Sequence, residues 1–209
     1  MTKNQHRDEL EVERRLIEVL GEGHNQWNYR RDLKSEEDLW NNLRKKITQN
    51  NLAEIGETPL TDQEFETIKT ELLLKTKTPF DAAKWLKGEN GIARITIERE
   101  DVSLGSMSLV LYSNQDIGGG ISTYEVVHQI AKQKVSDDGR DRRFDVTLLI
   151  NGLPIVQIEL KQVSAKDGVF QAFHQIKKYA EEGMFRNNIF STLQLFVISN
   201  EQTTRYFAN

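Results

Sequence analysis

The chain contains no cysteine, only three prolines and no apolar run near the roughly 18 residues that a membrane helix needs. Without cysteine there are no disulfides and no thiolate metal sites. The N-terminus, MTKNQHRDEL, lacks the apolar segment of a signal peptide. These absences point to a cytoplasmic protein with no membrane partner. Basic excess is also missing, because 28 Lys and Arg face 32 Asp and Glu, for a net charge of −4. That balance speaks against an autonomous nucleic-acid-binding domain, which usually carries a basic stripe. It leaves room for a divalent-metal site, since clustered carboxylates are what such an ion requires. No G-x-x-x-x-G-K-[ST] string occurs, so the chain is expected not to hydrolyse ATP. Gly118-Gly119-Gly120 lacks the lysine and the strand-to-helix context of a phosphate loop and reads as a connection.

What is present is enough for one large domain: 209 residues, 37% apolar and 29% charged. Helical spacing of Leu10, Leu16, Ile17 and Leu20 predicts a first helix from Arg7 to about Leu20, stopped by Gly21 and Gly23. Glu13 projects from its apolar side and needs a partner there, either an arginine or an active site. Two or three more helices are expected between residues 36 and 88. One runs from Glu36 to Gln49 after Ser35 as cap. Another starts at the Thr61/Glu64 capping box and continues to about Lys75. A short one runs from Thr78-Pro79 to Gly88. Trp40, Phe65, Phe80 and Trp85 are read as core.

The periodicity then changes. Ala93–Glu98 and Ser106–Tyr112 alternate as strands do, and Tyr124–Ile130 is a further strand. Asp137–Arg143 is a charged loop. Phe144–Ile150 and Pro154–Lys161 are strands around Asn151-Gly152-Leu153. A helix follows from Val169 to about Glu182, with Ala172, Phe173, Ile176 and Ala180 on one face. Leu193–Ser199 is a last apolar strand. The expected fold is α/β, a mixed central sheet flanked by helices.

Strand alternation puts Val156, Ile158 and Leu160 on one face and Gln157, Glu159 and Lys161 on the other. Asp145 shares a face with Thr147 and Leu149. A plain two-residue Asn-Gly turn would set Asp145 opposite Ile158, on the wrong face. A three-residue loop, or a bulge that restores the same parity, sets it opposite Glu159. Two carboxylates brought together repel unless a cation lies between them, and oxygen ligands suit Mg²⁺ or its substitute Mn²⁺. Lys161 is then placed to hold a water or stabilise developing charge. The competing reading is a solvated sheet face with a cross-strand ion pair.

Asp145, thirteen intervening residues, then Glu159-Leu160-Lys161 resembles the D-x(n)-E-x-K core of the PD-(D/E)XK nuclease superfamily. The string RRFDVTLLINGLPIVQIELK resembles, more specifically, the nuclease motif of type I restriction enzyme R subunits. Gln175-Ile176-Lys177-Lys178-Tyr179 is similar to the Q-x-x-x-Y motif of the RecB-like branch, and Gln175 and Tyr179 lie one helical turn apart. The resemblance is strong from about Tyr124 to Asn209 and faint before Arg94. It implies a restriction-endonuclease-like core over about 124–199, with a helical insertion at 36–88, in one nuclease domain spanning 1–209. The residues from Val197 to Asn209 resemble the lead into a helicase-like motor, which would make the chain a fragment ending at that boundary, with ATP used only by the motor.

The family implies Mg²⁺-dependent endonucleolytic cleavage of double-stranded DNA, as a type I site-specific deoxyribonuclease working with methyltransferase and specificity subunits. The catalytic residues carried over are Asp145, Glu159, Lys161, Gln175, Tyr179 and Glu13, with Asp145 and Glu159 as metal ligands and the Leu160 carbonyl as a further candidate. Glu9 competes with Glu13 for the first-helix position. The alternatives are a noncatalytic docking domain on a nuclease-like core, or another PD-(D/E)XK repair or RNA-processing nuclease.

Overall fold

A computed structural model describes residues 3–22, 27–114, 122–133, 142–163, 165 and 167–209, with side chains from residue 10 onward. Its elements in order are α1 (Lys3–Gly21), β1 (Asn28–Tyr29), α2 (Glu36–Asn50), α3 (Leu52–Ile55), α4 (Asp62–Lys75), α5 (Pro79–Lys87), β2 (Ile92–Glu98), β3 (Ser106–Ser113), β4 (Tyr124–Lys132), β5 (Arg142–Ile150), β6 (Leu153–Leu160), α6 (Gly168–Glu181), β7 (Leu195–Ser199) and β8 (Thr204–Ala208). Six strands form one sheet in the order β1-β4-β5-β6-β7-β8, and β2 pairs with β3 alone. β1/β4 and β6/β7 are parallel, while β4/β5, β5/β6 and β7/β8 are antiparallel. The fold is therefore α/β with a mixed sheet flanked by helices, a restriction-endonuclease-like core. Parallel neighbours need a crossover, which α6 supplies between β6 and β7.

Each face of the sheet has its own cover. Val12 and Ile17 of α1 pack on Val126, Val146, Leu148, Ile158 and Leu160. On the opposite face, Leu39, Leu43 and Ile47 of α2 and Ala172, Ile176 and Tyr179 of α6 join Val127, Leu149, Leu153, Phe196 and Ile198. That cluster continues through Phe65, Ile68, Leu72 and Leu86 to Ile95, Ile97, Leu109 and Leu111, so the helical segment and the β2–β3 hairpin share one core with the sheet. Full burial of one such Leu, Ile or Phe side chain contributes about 1.5–3 kcal/mol.

The helix starts follow the capping chemistry. Ser35 Oγ accepts from the Asp38 amide at 3.1 Å while Asp38 Oδ2 accepts from the Ser35 amide at 2.9 Å. Thr61 and Glu64 exchange the equivalent pair at 3.1 and 3.0 Å. Glu64 does more than cap, because it is buried and accepts from Arg99 Nε at 2.7 Å. A second buried carboxylate, Glu125 on β4, accepts from Arg30 and from Asn42 Nδ2 (2.8 Å), with Lys46 Nζ at 3.3 Å. Glu64 thus ties α4 to the residue that follows β2, and Glu125 ties β4 to α2.

Several expectations need correction. Phe80 is 76% exposed rather than core, because it sits at the start of α5 with its ring in solvent. On α6 Ala172 and Ile176 are buried as expected and Tyr179 joins them, while Phe173 is 39% exposed beside Phe207 of β8. The last apolar strand begins at Leu195, after a 3₁₀ turn at Ile189–Thr192. Arg142 and Arg143 belong to β5 rather than to a loop. Gly23, Gly118-Gly119-Gly120, residues 137–141 and the Glu9 side chain lie outside the described residues.

The β5–β6 hairpin settles the register. Ile150 pairs with Leu153, so the turn is the two-residue Asn151-Gly152, with φ of 52° and 82°. Positive φ at both centres is what a tight hairpin turn of matching twist requires. The parity is then changed within the strands: Leu149 pairs with Pro154 but Leu148 with Val156, leaving Ile155 as a bulge. Beyond it Val146 faces Ile158, which brings Asp145 across from Glu159. The loop is the shorter of the two considered, and the bulge restores the pairing.

Candidate active site

β5 and β6 deliver the acidic pair, and α6 closes over it. Glu159 is fully buried and Asp145 half-buried. The Leu160 amide donates to Asp145 Oδ2 at 2.8 Å, so the strand bearing Glu159 also fixes the neighbouring carboxylate. From α6, Gln175 Nε2 donates to Glu159 Oε2 at 2.6 Å and contacts Tyr179 Oη at 2.7 Å. Beneath, Thr147 Oγ1 donates to Gln157 Oε1 (2.7 Å), which frees the Gln157 amide nitrogen to face Glu159 Oε1 at 3.3 Å. Lys161 Nζ donates to the Leu160 carbonyl at 3.0 Å, and the Lys161 amide donates to Ser199 O at 2.9 Å. Asp145, Glu159, Lys161, Gln175 and Tyr179 are thus one connected cluster.

Its electrostatics follow from burial. Desolvation, and then the charge of Asp145, push the Glu159 carboxyl well above the usual carboxylate range, and Lys161 offsets part of this. Burial, and then Glu159, likewise push the Tyr179 phenol upward. Its ring packs against Phe144 at 5.4 Å and lies 5.5 Å from the Arg142 guanidinium.

Above the pair opens a cleft of about 890 Å³, lined by Glu13, Asp145, Lys161, Gln175 and Tyr179 among others. Glu13 is 2% exposed and accepts from Gln129 Nε2 at 2.6 Å. Of the two readings for Glu13, the structure places it at the cleft wall, with Gln129 as a partner.

Gln129 was not anticipated. It lies inside β4 with φ of 55°, between the pairs His128/Val146 and Ile130/Phe144, hence beside Asp145. A left-handed residue in a strand re-aims its neighbours. Val126 and Val146 pack with α1, whereas Ile130 and Phe144 pack in the opposite cluster. The faces therefore switch at Gln129 and Asp145. Nothing in the residue string announces this conformation. The role of Gln157 was legible in part, since alternation puts it on the face of Glu159.

Two carboxylates, one of them buried and held against its own charge, fit an oxygen-liganded divalent cation. Mg²⁺ typically takes one or two carboxylates and fills its remaining positions with water and substrate phosphate. Among the described residues no group of three or more His, Cys, Asp or Glu side chains is close enough to hold a metal alone. No helix among them is long and apolar enough to cross a membrane.

A mixed sheet with an acidic pair and a lysine on adjacent strands defines a chain of the restriction-endonuclease-like class. Sequence comparison gives the family: "Type I restriction enzyme R protein N terminus" matches residues 7–209, and the chain belongs to it. It is 30% identical over 177 residues to the Type I restriction enzyme SauMSSORF170P endonuclease subunit of Staphylococcus aureus (strain MSSA476). It is 31% identical over 177 residues to the SsaAORF53P endonuclease subunit of Staphylococcus saprophyticus. Each match covers 85% of this chain and 17% of the relative. The EcoprrI endonuclease subunit of Escherichia coli is 49% identical over 82 residues, 39% of this chain and 26% of the relative. The chain thus corresponds to about a sixth of the length of the staphylococcal relatives.

Proposed function

We propose that this chain is the nuclease module of a type I restriction R subunit and hydrolyses phosphodiesters of double-stranded DNA with Mg²⁺. The observation that carries the reading is the cluster joining Asp145, Glu159, Gln175 and Tyr179 by hydrogen bonds, with Lys161 beside it at the floor of the cleft. Asp145 and Glu159 would hold the ion, with the Leu160 carbonyl as a further ligand once Lys161 Nζ turns away. When bound, the ion polarises the phosphate and lowers the pKa of a water. Lys161 orients the attacking water and stabilises charge on the pentacoordinate phosphorus. A new P–O bond forms from that water, which gives up a proton to solvent, the bond to the leaving oxygen breaks, and the leaving oxygen takes a proton from solvent. Gln175 keeps Glu159 in its rotamer, and Tyr179 buttresses Gln175. Glu13 adds a third carboxylate at the cleft wall, held by Gln129. Mn²⁺ substitutes for Mg²⁺.

The same reading places the chain in an assembly with methyltransferase and specificity subunits. ATP-driven motion over DNA belongs to another part of the R subunit. The test is plasmid cleavage by the assembled enzyme. Wild type cuts with Mg²⁺ and not with EDTA, and Asp145→Ala translocates without cutting. Cleavage by Asp145→Ala at the wild-type rate would refute the assignment.

A further inference from the structure

The chain is acidic overall, yet among the described residues lining the cleft Lys132, Arg142, Arg143, Lys161 and Lys178 outnumber the carboxylates Glu13 and Asp145. Lys34 and Arg143 lie on the two segments that flank Ala131, Lys34 next to Ser35, the bridge partner of Ala131. The Ala131 amide donates to Lys34 O at 2.9 Å, and Ala131 is the register partner of Arg143. Arg31 lies three residues before Lys34, on the chain that runs along the edge of β4, and its guanidinium sits 5.2 Å from the Tyr29 ring centroid. Arg31 and Arg143 are exposed. Most other basic groups near a carboxylate are paired with it: Arg30 with Asp32 and Glu125, Lys132 with Glu36, Arg142 with Glu182. Among the described residues Arg31, Lys34 and Arg143 have no carboxylate within ion-pairing distance.

Lys34 is held in place rather than left to solvent. Its Nζ donates to the His128 carbonyl at 2.9 Å and lies 3.2 Å from His128 Nδ1, which Tyr29 Oη also approaches at 2.9 Å. A lysine has only donors, so Nδ1 is the acceptor and the imidazole is neutral. Burial, with the charges of Lys34 and Arg31, holds His128 below its ordinary range, in agreement. Burial lowers the Lys34 pKa, with Glu13 opposing the shift, and the hydrogen bonds to His128 fix the ammonium at the rim for an outside anion. The middle position, Ala131, is exposed, lines the cleft and carries no bulk. Arg143 is two residues from Asp145, about 7 Å along the strand, or about two nucleotide steps of B-DNA.

We propose that Arg143, Lys34 and Arg31 form a phosphate-binding rim that carries the backbone of duplex DNA from the cleft along the β1–β4 edge, with Tyr29 and His128 as positioning residues for Lys34. The proposal rests on the nuclease reading of the cleft. It explains how a chain of net charge −4 can hold a polyanion locally. Phosphate contacts of this kind position DNA without reading its sequence.

The test measures binding of a fluorescent 40-base-pair duplex to this chain by anisotropy, with Ca²⁺ in place of Mg²⁺, between 25 and 200 mM KCl. Each of Arg31→Ala, Lys34→Ala and Arg143→Ala is expected to weaken binding several-fold at low salt and to flatten the plot of log K against log salt by about 0.9. Lys34→Arg restores most of the slope, and Tyr29→Phe shows a smaller loss. The double variant Lys84→Ala/Lys87→Ala, on the remote α5, binds like wild type. Wild-type affinity and slope in the three single variants overturn the rim, as does absence of wild-type binding at 25 mM KCl. Mn²⁺ binding, measured on the same samples, separates the two ideas. Retained Mn²⁺ binding with unchanged slopes removes the rim and leaves the nuclease reading standing. Loss of Mn²⁺ binding in wild type counts against the nuclease reading whatever the slopes show.

Discussion

The Leu160 amide hydrogen-bonds Asp145 Oδ2 at 2.8 Å, so one peptide unit of β6 holds the neighbouring strand's carboxylate while the residues on either side of Leu160, Glu159 and Lys161, face the same site. This contact exists only because Ile155 bulges. The position of the acidic pair is therefore a property of the hairpin's register, and the predictions below follow from it.

Removing the ligands or the ammonium should stop the chemistry while sparing the fold's other work. Asp145→Ala and Glu159→Ala are expected to reduce cleavage by the assembled enzyme to background. Lys161→Ala should cost about 10²–10³-fold, the usual effect of deleting one group that stabilises transition-state charge. ATP-driven translocation should be unchanged in all three. A single-turnover cleavage assay beside a translocation assay checks this.

Gln175 and Tyr179 should behave differently from the ligands. Gln175→Ala removes the donor to a buried carboxylate oxygen and should destabilise the domain by about 1–3 kcal/mol. Tyr179→Phe keeps the ring against Phe144 and loses only the hydroxyl, so thermal stability should change little. Both should lower cleavage less than Asp145→Ala, and Tyr179→Ala more than Tyr179→Phe. Melting curves paired with rates separate the two effects.

The raised carboxyl of Glu159 makes stability depend on pH and on metal together. A carboxyl whose pKa is higher in the folded than in the unfolded chain takes up a proton on folding. Its contribution is full below the unfolded value, about 4.3, and is lost as pH rises through the folded value. In EDTA the melting temperature should therefore fall from pH 5 to pH 8, and Glu159→Gln should flatten that fall. Mg²⁺ should raise the melting temperature more at pH 8 than at pH 5, because binding at low pH must displace a proton. Scanning calorimetry at the two pH values checks the sign.

Gly152 should resist substitution. Its φ is 82°, and an added Cβ would meet Leu43 Cα at 3.0 Å. Gly152→Ala should cost at least about 1–2 kcal/mol from backbone conformation alone, read as a lower urea midpoint.

The buried pair on the far side supports the fold and not the chemistry. Arg99→Leu would strand Glu64 without its cation and should cost about 3–5 kcal/mol. Below its melting point the variant should show the same Mn²⁺ affinity as wild type, since the proposed ligands Asp145 and Glu159 are untouched.

The sequence was most readable where local chemistry decides. Ser35, Thr61 and Thr78 cap their helices because short hydroxyl side chains satisfy amides that nothing else can reach. The alternation of β6 correctly grouped Gln157 with Glu159, since side-chain direction follows from strand geometry alone. Asn-Gly favours the tight turn that is found, but the demand that Asp145 meet Glu159 predicts a three-residue loop or a bulge, and the hairpin uses the bulge, at Ile155. Readability ended where long-range contacts decide. The left-handed backbone at Gln129 is imposed by neighbouring strands, and its hydrogen bond to Glu13 spans 116 positions. Phe80 and Phe173 carry the same apolar signal as core residues, but nothing packs over them fully. β8 was missed because Thr204–Ala208 pairs at a sheet edge, where the inward and outward faces differ little in burial.

The most direct test of the central claim is anomalous diffraction from crystals of this chain soaked in Mn²⁺. The account predicts a peak between the Asp145 and Glu159 carboxylates, with Lys161 Nζ released from the Leu160 carbonyl. A well-soaked crystal with no peak there, and with Glu159 still held by Gln175 and Gln157 as in the free chain, would contradict it.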